Sequence, residues 1–218
     1  TKKETELGVL IAVVEKQTTD KLVKEHLDEL AFLAKTLDIK IRQTFVQKIE
    51  RPDKRTYVGS GKLEEIKSFI KMEKVDLIIF DDELSPSQLR NIESEVKIKV
   101  YDRSLLILDI FLRRAQTAQA KIQVELARFQ YLLPRLTRMW THLERQRGGR
   151  GTRGGAGEKE IETDKRMVRD RITLLKKQLT KVELQASTRR KSRTGIVRIA
   201  LVGYTNAGKS SLMNLLGK

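Results

Sequence analysis

The chain has 218 residues, 39% of them hydrophobic, enough for more than one cored unit, and no cysteine, which excludes a disulfide framework and a thiolate metal site and favours a reducing compartment. The start, Thr1-Lys2-Lys3-Glu4, lacks the apolar core of a signal peptide, and no apolar run nears the roughly 20 residues of a membrane span, so a cytoplasmic location is expected. The net charge of +16 is segregated, with −1 over residues 1–102, +14 over 103–193 and +3 over 194–218, and a segregated basic surface is the electrostatic footprint of a polyanion partner.

Residues 1–102 read as an N-terminal α/β domain. Gly8 to Val14 is a continuous apolar strand, and Leu22 to Leu37 repeats apolar residues at helical spacing. Ile39, Ile41, Phe45 and Ile49 mark a second strand with mostly polar residues between them. Leu63 to Met72 is helical, Val75 to Phe80 a third strand, Ser85 to Val96 helical, and Lys97 to Tyr101 a fourth strand that alternates. Alternating strands and helices predict a parallel sheet flanked by helices. Continuous apolar strands are buried on both faces and belong at the centre, whereas alternating strands belong at the edges. Right-handed crossovers then give the order 2-1-3-4.

Residues 103–193 read as a basic antiparallel helical hairpin. Leu108, Phe111, Ala115, Ala118, Ile122, Leu126, Phe129, Leu133, Leu136, Trp140 and Leu143 form a heptad-like seam. One continuous first helix of that length would extend on the order of 60 Å at about 1.5 Å per residue, with a local kink at Pro134. A second seam runs Ile161, Val168, Ile172, Leu175, Leu179, Val182 and Ala186, with polar Lys165 at one position. The Gly- and Arg-rich tip between them (148–157) cannot continue a helix without a large entropic cost. Arg145, Arg147, Arg150 and Arg153 lie along or beside this tip and are candidate RNA contacts, because guanidinium groups fork onto phosphates and stack on bases. Arg189, Arg190, Lys191 and Arg193 end the second helix, where their charge either complements the helix dipole or meets an RNA backbone.

Residues 194–218 read as the start of a P-loop nucleotide-binding domain. Ile196 to Val202 is an expected strand, followed by Gly203-Tyr204-Thr205-Asn206-Ala207-Gly208-Lys209-Ser210 and a helix. The spacing G-x-x-x-x-G-K-[ST] between strand and helix is the phosphate-binding loop. Its backbone N–H groups surround the phosphates of a nucleoside triphosphate, Lys209 reaches the β- and γ-phosphates, and the Ser210 hydroxyl ligates Mg²⁺. Ser211 completes the nucleotide-binding set. The elements that read the base and assist hydrolysis follow such a loop, so a chain ending at Lys218 is expected not to hydrolyse the triphosphate alone. Elsewhere, Gly59-Ser60-Gly61-Lys62 is either a structural turn or an anion contact. Asp81-Asp82-Glu83 ahead of Ser85-Pro86-Ser87-Gln88 reads as a capped junction in preference to a metal site. His26 and His142 are isolated in sequence, and Trp140 is placed as packing.

Several blocks, in order along nearly the whole chain, resemble the HflX family of the Obg-HflX group of GTPases. They are Arg51-Pro52-Asp53 through Tyr57-Val58-Gly59-Ser60-Gly61-Lys62, Phe80-Asp81-Asp82-Glu83-Leu84-Ser85-Pro86, Tyr101-Asp102-Arg103 with Leu108-Asp109-Ile110-Phe111, Leu133-Pro134-Arg135-Leu136 before the glycine-rich tip, and the loop Gly203 to Ser210. The resemblance implies GTP as substrate with Mg²⁺. It implies binding to the large ribosomal subunit and its ribosomal RNA, with the arm reaching toward the peptidyl transferase centre. It also implies separation of stalled or idle ribosomes into subunits under stress. A monomer is expected. Two other classes stay open on the residues alone: an RNA-binding module without relevant enzymatic activity, which the charge segregation would support, and a helical adaptor that binds a protein through an apolar stripe.

Overall fold

The computed structural model describes residues 6–14, 18–136, 157–191, 200–204 and 207–217. Contacts divide the chain into two compact units, Thr1–Leu179 and Thr180–Lys218. The first contains β1 (Leu7–Val14), α1 (Asp20–Lys35), β2 (Lys40–Lys48), α2 (Ser60–Glu73), β3 (Leu77–Phe80), α3 (Pro86–Val96) and β4 (Lys99–Asp102). The strands pair in parallel in the order β2-β1-β3-β4, the order that the apolar patterning requires. Because alternate residues of a strand face opposite sides, β1 and β3 each feed two cores. Val9, Ile11, Ile78 and Phe80 meet α2 and α3 on one side. Leu10, Ala12, Leu77 and Ile79 meet α1 on the other. Ile78, Ile79 and Phe80 are wholly buried, so truncating one of them costs about 2–5 kcal/mol, a large share of an ordinary folding margin of about 5–15. Gly8 admits the close approach of the residue that leads into β2: a Cβ there would lie 2.9 Å from Ile39 Cγ2.

Capping fixes the helix starts. Ser85 and Gln88 form the full capping box of α3, with Gln88 N–H donating to Ser85 Oγ at 3.2 Å and Ser85 N–H to Gln88 Oε1 at 3.0 Å. Gln88 Nε2 also donates to Asp53 O at 3.0 Å, which seats the 53–57 turn on α3. Tyr57 there holds a φ of 65°, uncommon for a bulky residue. Its backbone pairs twice with Asp53 at 3.0 Å, its ring meets the edge of Phe80 at 6.0 Å, and its hydroxyl donates to Asp82.

After β4 come α4 (Arg103–Arg114), α5 (Ala118–Leu132), a 3₁₀ turn (Leu133–Arg135) and α6 (Gly157–Lys191). The expected single first helix is therefore broken at residues 115–117. Ala115 is extended (ψ 117°), and Thr117 caps α5 by accepting from Ala120 N–H at 3.1 Å. The break lets α4 bury Leu106 and Ile110 in the core beside α1 while α5 takes another course. It also leaves the seam residue Leu108 half-buried and Phe111 57% exposed. At Pro134 the α-helix ends in the 3₁₀ turn instead of only kinking. Along α6 the seam residues Ile172 and Leu175 are buried and Val168 and Leu179 half-buried, with an exposed face opposite. α5 and α6 run antiparallel: Arg171 meets Glu125 at 2.6 Å, and Val168 packs near Leu132 and Leu136.

Candidate phosphate-binding loop and the base of the arm

In the second unit, residues 200–204 form no strand, and α7 (Lys209–Leu216) follows a bend at 207–208. The expected strand to Val202 is thus absent over 200–202, while 196–199 lie outside the described residues. A strand needs a hydrogen-bonding neighbour, and among the described residues none flanks this one. The loop geometry itself is compact. Gly208 takes φ 77° at the N-cap of α7, a conformation open to glycine rather than to side-chain-bearing residues, although a Cβ there would meet open space. Ala207 N–H donates to Tyr204 O at 3.3 Å, and Leu212 N–H to Gly208 O at 3.0 Å. Lys209 folds back over the loop, its Nζ donating to Gly203 O at 2.7 Å and Tyr204 O at 2.5 Å. The N-cap supplies no side-chain hydrogen bond, so the positive end of the helix is left to the loop and whatever anion enters it. Ser210 and Ser211 stand exposed on the first turn. Thr205 and Asn206 lie outside the described residues.

The tip arginines Arg145, Arg147, Arg150 and Arg153 lie outside the described residues, as do Arg193, Trp140 and His142. Arg189, Arg190 and Lys191 are the last backbone positions of α6. Gly59 is the N-cap of α2; its N–H donates to Gln47 Oε1 at 2.9 Å, and Lys62 pairs with Glu65 at 2.6 Å. Asp81 binds Arg103 at 2.8 Å, and Arg103 binds Glu29 at 2.9 Å. Burial raises the Asp82 carboxyl above its ordinary value, against the opposing hydrogen bond from Tyr57. Among the described residues no group of three or more His, Cys, Asp or Glu is placed to hold a metal.

A second polar cluster, which the sequence did not single out, sits where the arm leaves the sheet. Asp102, wholly buried, accepts from Leu105 N–H at 2.9 Å, Leu84 N–H at 3.3 Å and the Tyr131 hydroxyl. Arg135, also buried, donates to Leu84 O at 3.0 Å, Glu83 at 3.1 Å and Tyr131 O at 3.2 Å, and its guanidinium lies 3.7 Å above the Tyr131 ring. Arg90 donates to Pro134 O at 2.9 Å. Below them Arg128 pairs with Asp109, which also accepts from Tyr101 at 3.0 Å. Burial beside these carboxylates pushes the Tyr101 and Tyr131 phenols well above their ordinary value. A sequence signal was available: charged Arg128 and Arg135 lie directly beside the apolar seam residues Phe129 and Leu136, and buried charges need partners.

A parallel α/β domain and a two-helix arm precede, in sequence, a loop with the pattern of P-loop nucleotide-binding proteins. Three family models match in sequence, described as GTP-binding GTPase N-terminal over residues 24–112, GTP-binding GTPase Middle Region over 114–193, and 50S ribosome-binding GTPase over 198–218. GTPase HflX of Flavobacterium psychrophilum is 51% identical over 213 residues, 98% of this chain and 51% of that protein. GTPase HflX of Escherichia coli is 42% identical over 211 residues, 96% of this chain and 49% of that protein. The chain belongs to the HflX family. It spans about half the length of the curated relatives it matches. Among solved structures, a GTP-binding protein of the archaeon Sulfolobus solfataricus in complex with GDP is similar with a TM-score of 0.57 at 28% identity, covering 97% of this chain and 53% of that one. The crystal structure described as an SsGBP and GDP complex gives 0.59 at 28% identity, covering 97% and 55%.

Proposed function

We propose that this chain is the ribosome-engaging part, with the phosphate-binding loop, of a GTP hydrolase that binds the large ribosomal subunit and separates stalled or idle ribosomes into subunits under stress. The observation that carries the reading is the union, in one chain, of a phosphate-binding loop with a segment holding +14 of the +16 net charge. The loop binds the nucleotide through the N-terminus of α7. Lys209 exchanges the carbonyls of Gly203 and Tyr204, which it now holds, for the β- and γ-phosphates. Ser210 offers an exposed hydroxyl on the first turn of α7, a hard oxygen donor of the kind Mg²⁺ takes. Mg²⁺, when bound, neutralises charge developing on the phosphates. The arm contacts ribosomal RNA through Arg145, Arg147, Arg150 and Arg153, with Arg189, Arg190, Lys191 and Arg193 at its other end.

The test is GTP turnover by the intact protein with and without purified ribosomes, beside co-sedimentation with each subunit. Ribosome-stimulated turnover and selective binding to the large subunit are expected. Turnover indifferent to ribosomes, together with RNA binding that persists, would support an RNA-binding module and sink the GTP-controlled reading.

A further inference from the structure

We propose that Tyr131 and Arg135 are positioning residues that clasp the base of the arm to the carboxyl edge of the sheet and so set the arm's bearing. Three non-helical residues between α4 and α5 do not transmit orientation as a continuous helix would. The apolar contacts of Leu132 and Leu136 with Leu105 and Val168 add attraction, but such contacts are non-directional.

Direction comes from the polar contacts. Within the five residues 131–135 the arm is tied to three separate places: Asp102 at the end of β4, Glu83 and Leu84 between β3 and α3, and Arg90 on α3. Two anchor points leave rotation about the line joining them, whereas three that are not collinear remove it. The clasp is buried where it counts. Asp102 is 0% and Arg135 8% exposed, so these charged hydrogen bonds work in a low dielectric, where geometry is enforced most strongly. Among the described residues Arg135 Nε has no acceptor; the Tyr131 ring face beneath the guanidinium offsets part of that cost. Asp102 also caps α4, so one carboxylate joins β4, α4, the β3–α3 connection and α5. The consequence for recognition rests on the ribosome reading above; the clasp itself does not.

This chain has no cysteine, so paired spin labels are placed in the intact protein at Met72→Cys on α2 and Lys177→Cys on α6, both exposed positions, with any cysteine outside these residues replaced by serine. The wild-type background should give one narrow distance distribution by double electron–electron resonance. Arg135→Met and the milder Tyr131→Phe should each broaden and shift it while circular dichroism stays unchanged. Arg135→Lys, which keeps a donor for Leu84 O, should recover part of the narrow distribution. Binding to the large subunit should weaken several-fold in the order of the broadening. Distributions in Arg135→Met and Tyr131→Phe that coincide with wild type would overturn the proposal. A wild-type protein that ignores the large subunit would remove the ribosome reading, and the distances would still decide the clasp.

Discussion

Asp82 shows how one carboxyl couples stability to pH. Burial raises its folded-state pKa above the ordinary carboxylate value of about 3.9. The folded state therefore keeps a proton that the unfolded chain has already released. The stabilisation is complete below the ordinary value and is lost as pH rises through the folded one. Asp82→Asn, whose amide oxygen still accepts from Tyr57, should melt higher than wild type at pH 7.5, with the gap closing toward pH 4. A gap that widens in acid would reverse the assignment. Lys209 is the other decisive single residue. Lys209→Ala should abolish productive GTP binding by the intact protein in a fluorescent-nucleotide titration, because no other described side chain in the loop carries positive charge. Undiminished affinity would deny it the phosphate contact.

Element by element, what could be read in advance followed from how local the cause was. The α3 capping box is written in Ser85-Pro86-Ser87-Gln88 and stands in the structure as spelled. Ser85→Ala should cost about 1 kcal/mol, seen as a drop of roughly 2–4 °C in Tm. The strand order was legible because Leu10 and Ile79 are apolar for a reason that acts within the strand, burial on both faces. The break after α4 was not. Ala115-Gln116-Thr117 reads as helix by spacing, and the competition between packing Ile110 on the sheet and packing Leu132 at the base of the arm interrupts it. Asp102 was missed for the same reason: its partners Leu84 and Tyr131 are 18 and 29 residues away. In the loop the pattern from Gly203 to Ser210 foretold that a helix opens at Lys209. It did not foretell that Lys209 would fold onto the loop's own carbonyls, because that contact depends on the backbone path.

Along the chain, charge is sorted by segment, with a nearly neutral α/β domain and a strongly basic arm. If RNA phosphates answer that charge, replacing Arg147, Arg150 and Arg153 with alanine should weaken binding and flatten the plot of log affinity against log salt. The slope should fall by up to about 3 if each arginine neutralises one phosphate, as filter binding across a salt series would read. A parallel slope in the variant would remove the tip from the contact. The order β2-β1-β3-β4 has a further consequence, for the chain while it is being made. Of the four strands β1 is synthesised first yet lies at the centre, and its second edge is covered only when Phe80 has emerged. At about 5–20 residues per second, the uncharged stretch Leu7 to Val14 waits on the order of several seconds with one flank open. During that interval it has the composition of a segment that pairs with stray strands, so the nascent protein should be a short-lived client of chaperones that shield extended apolar chain.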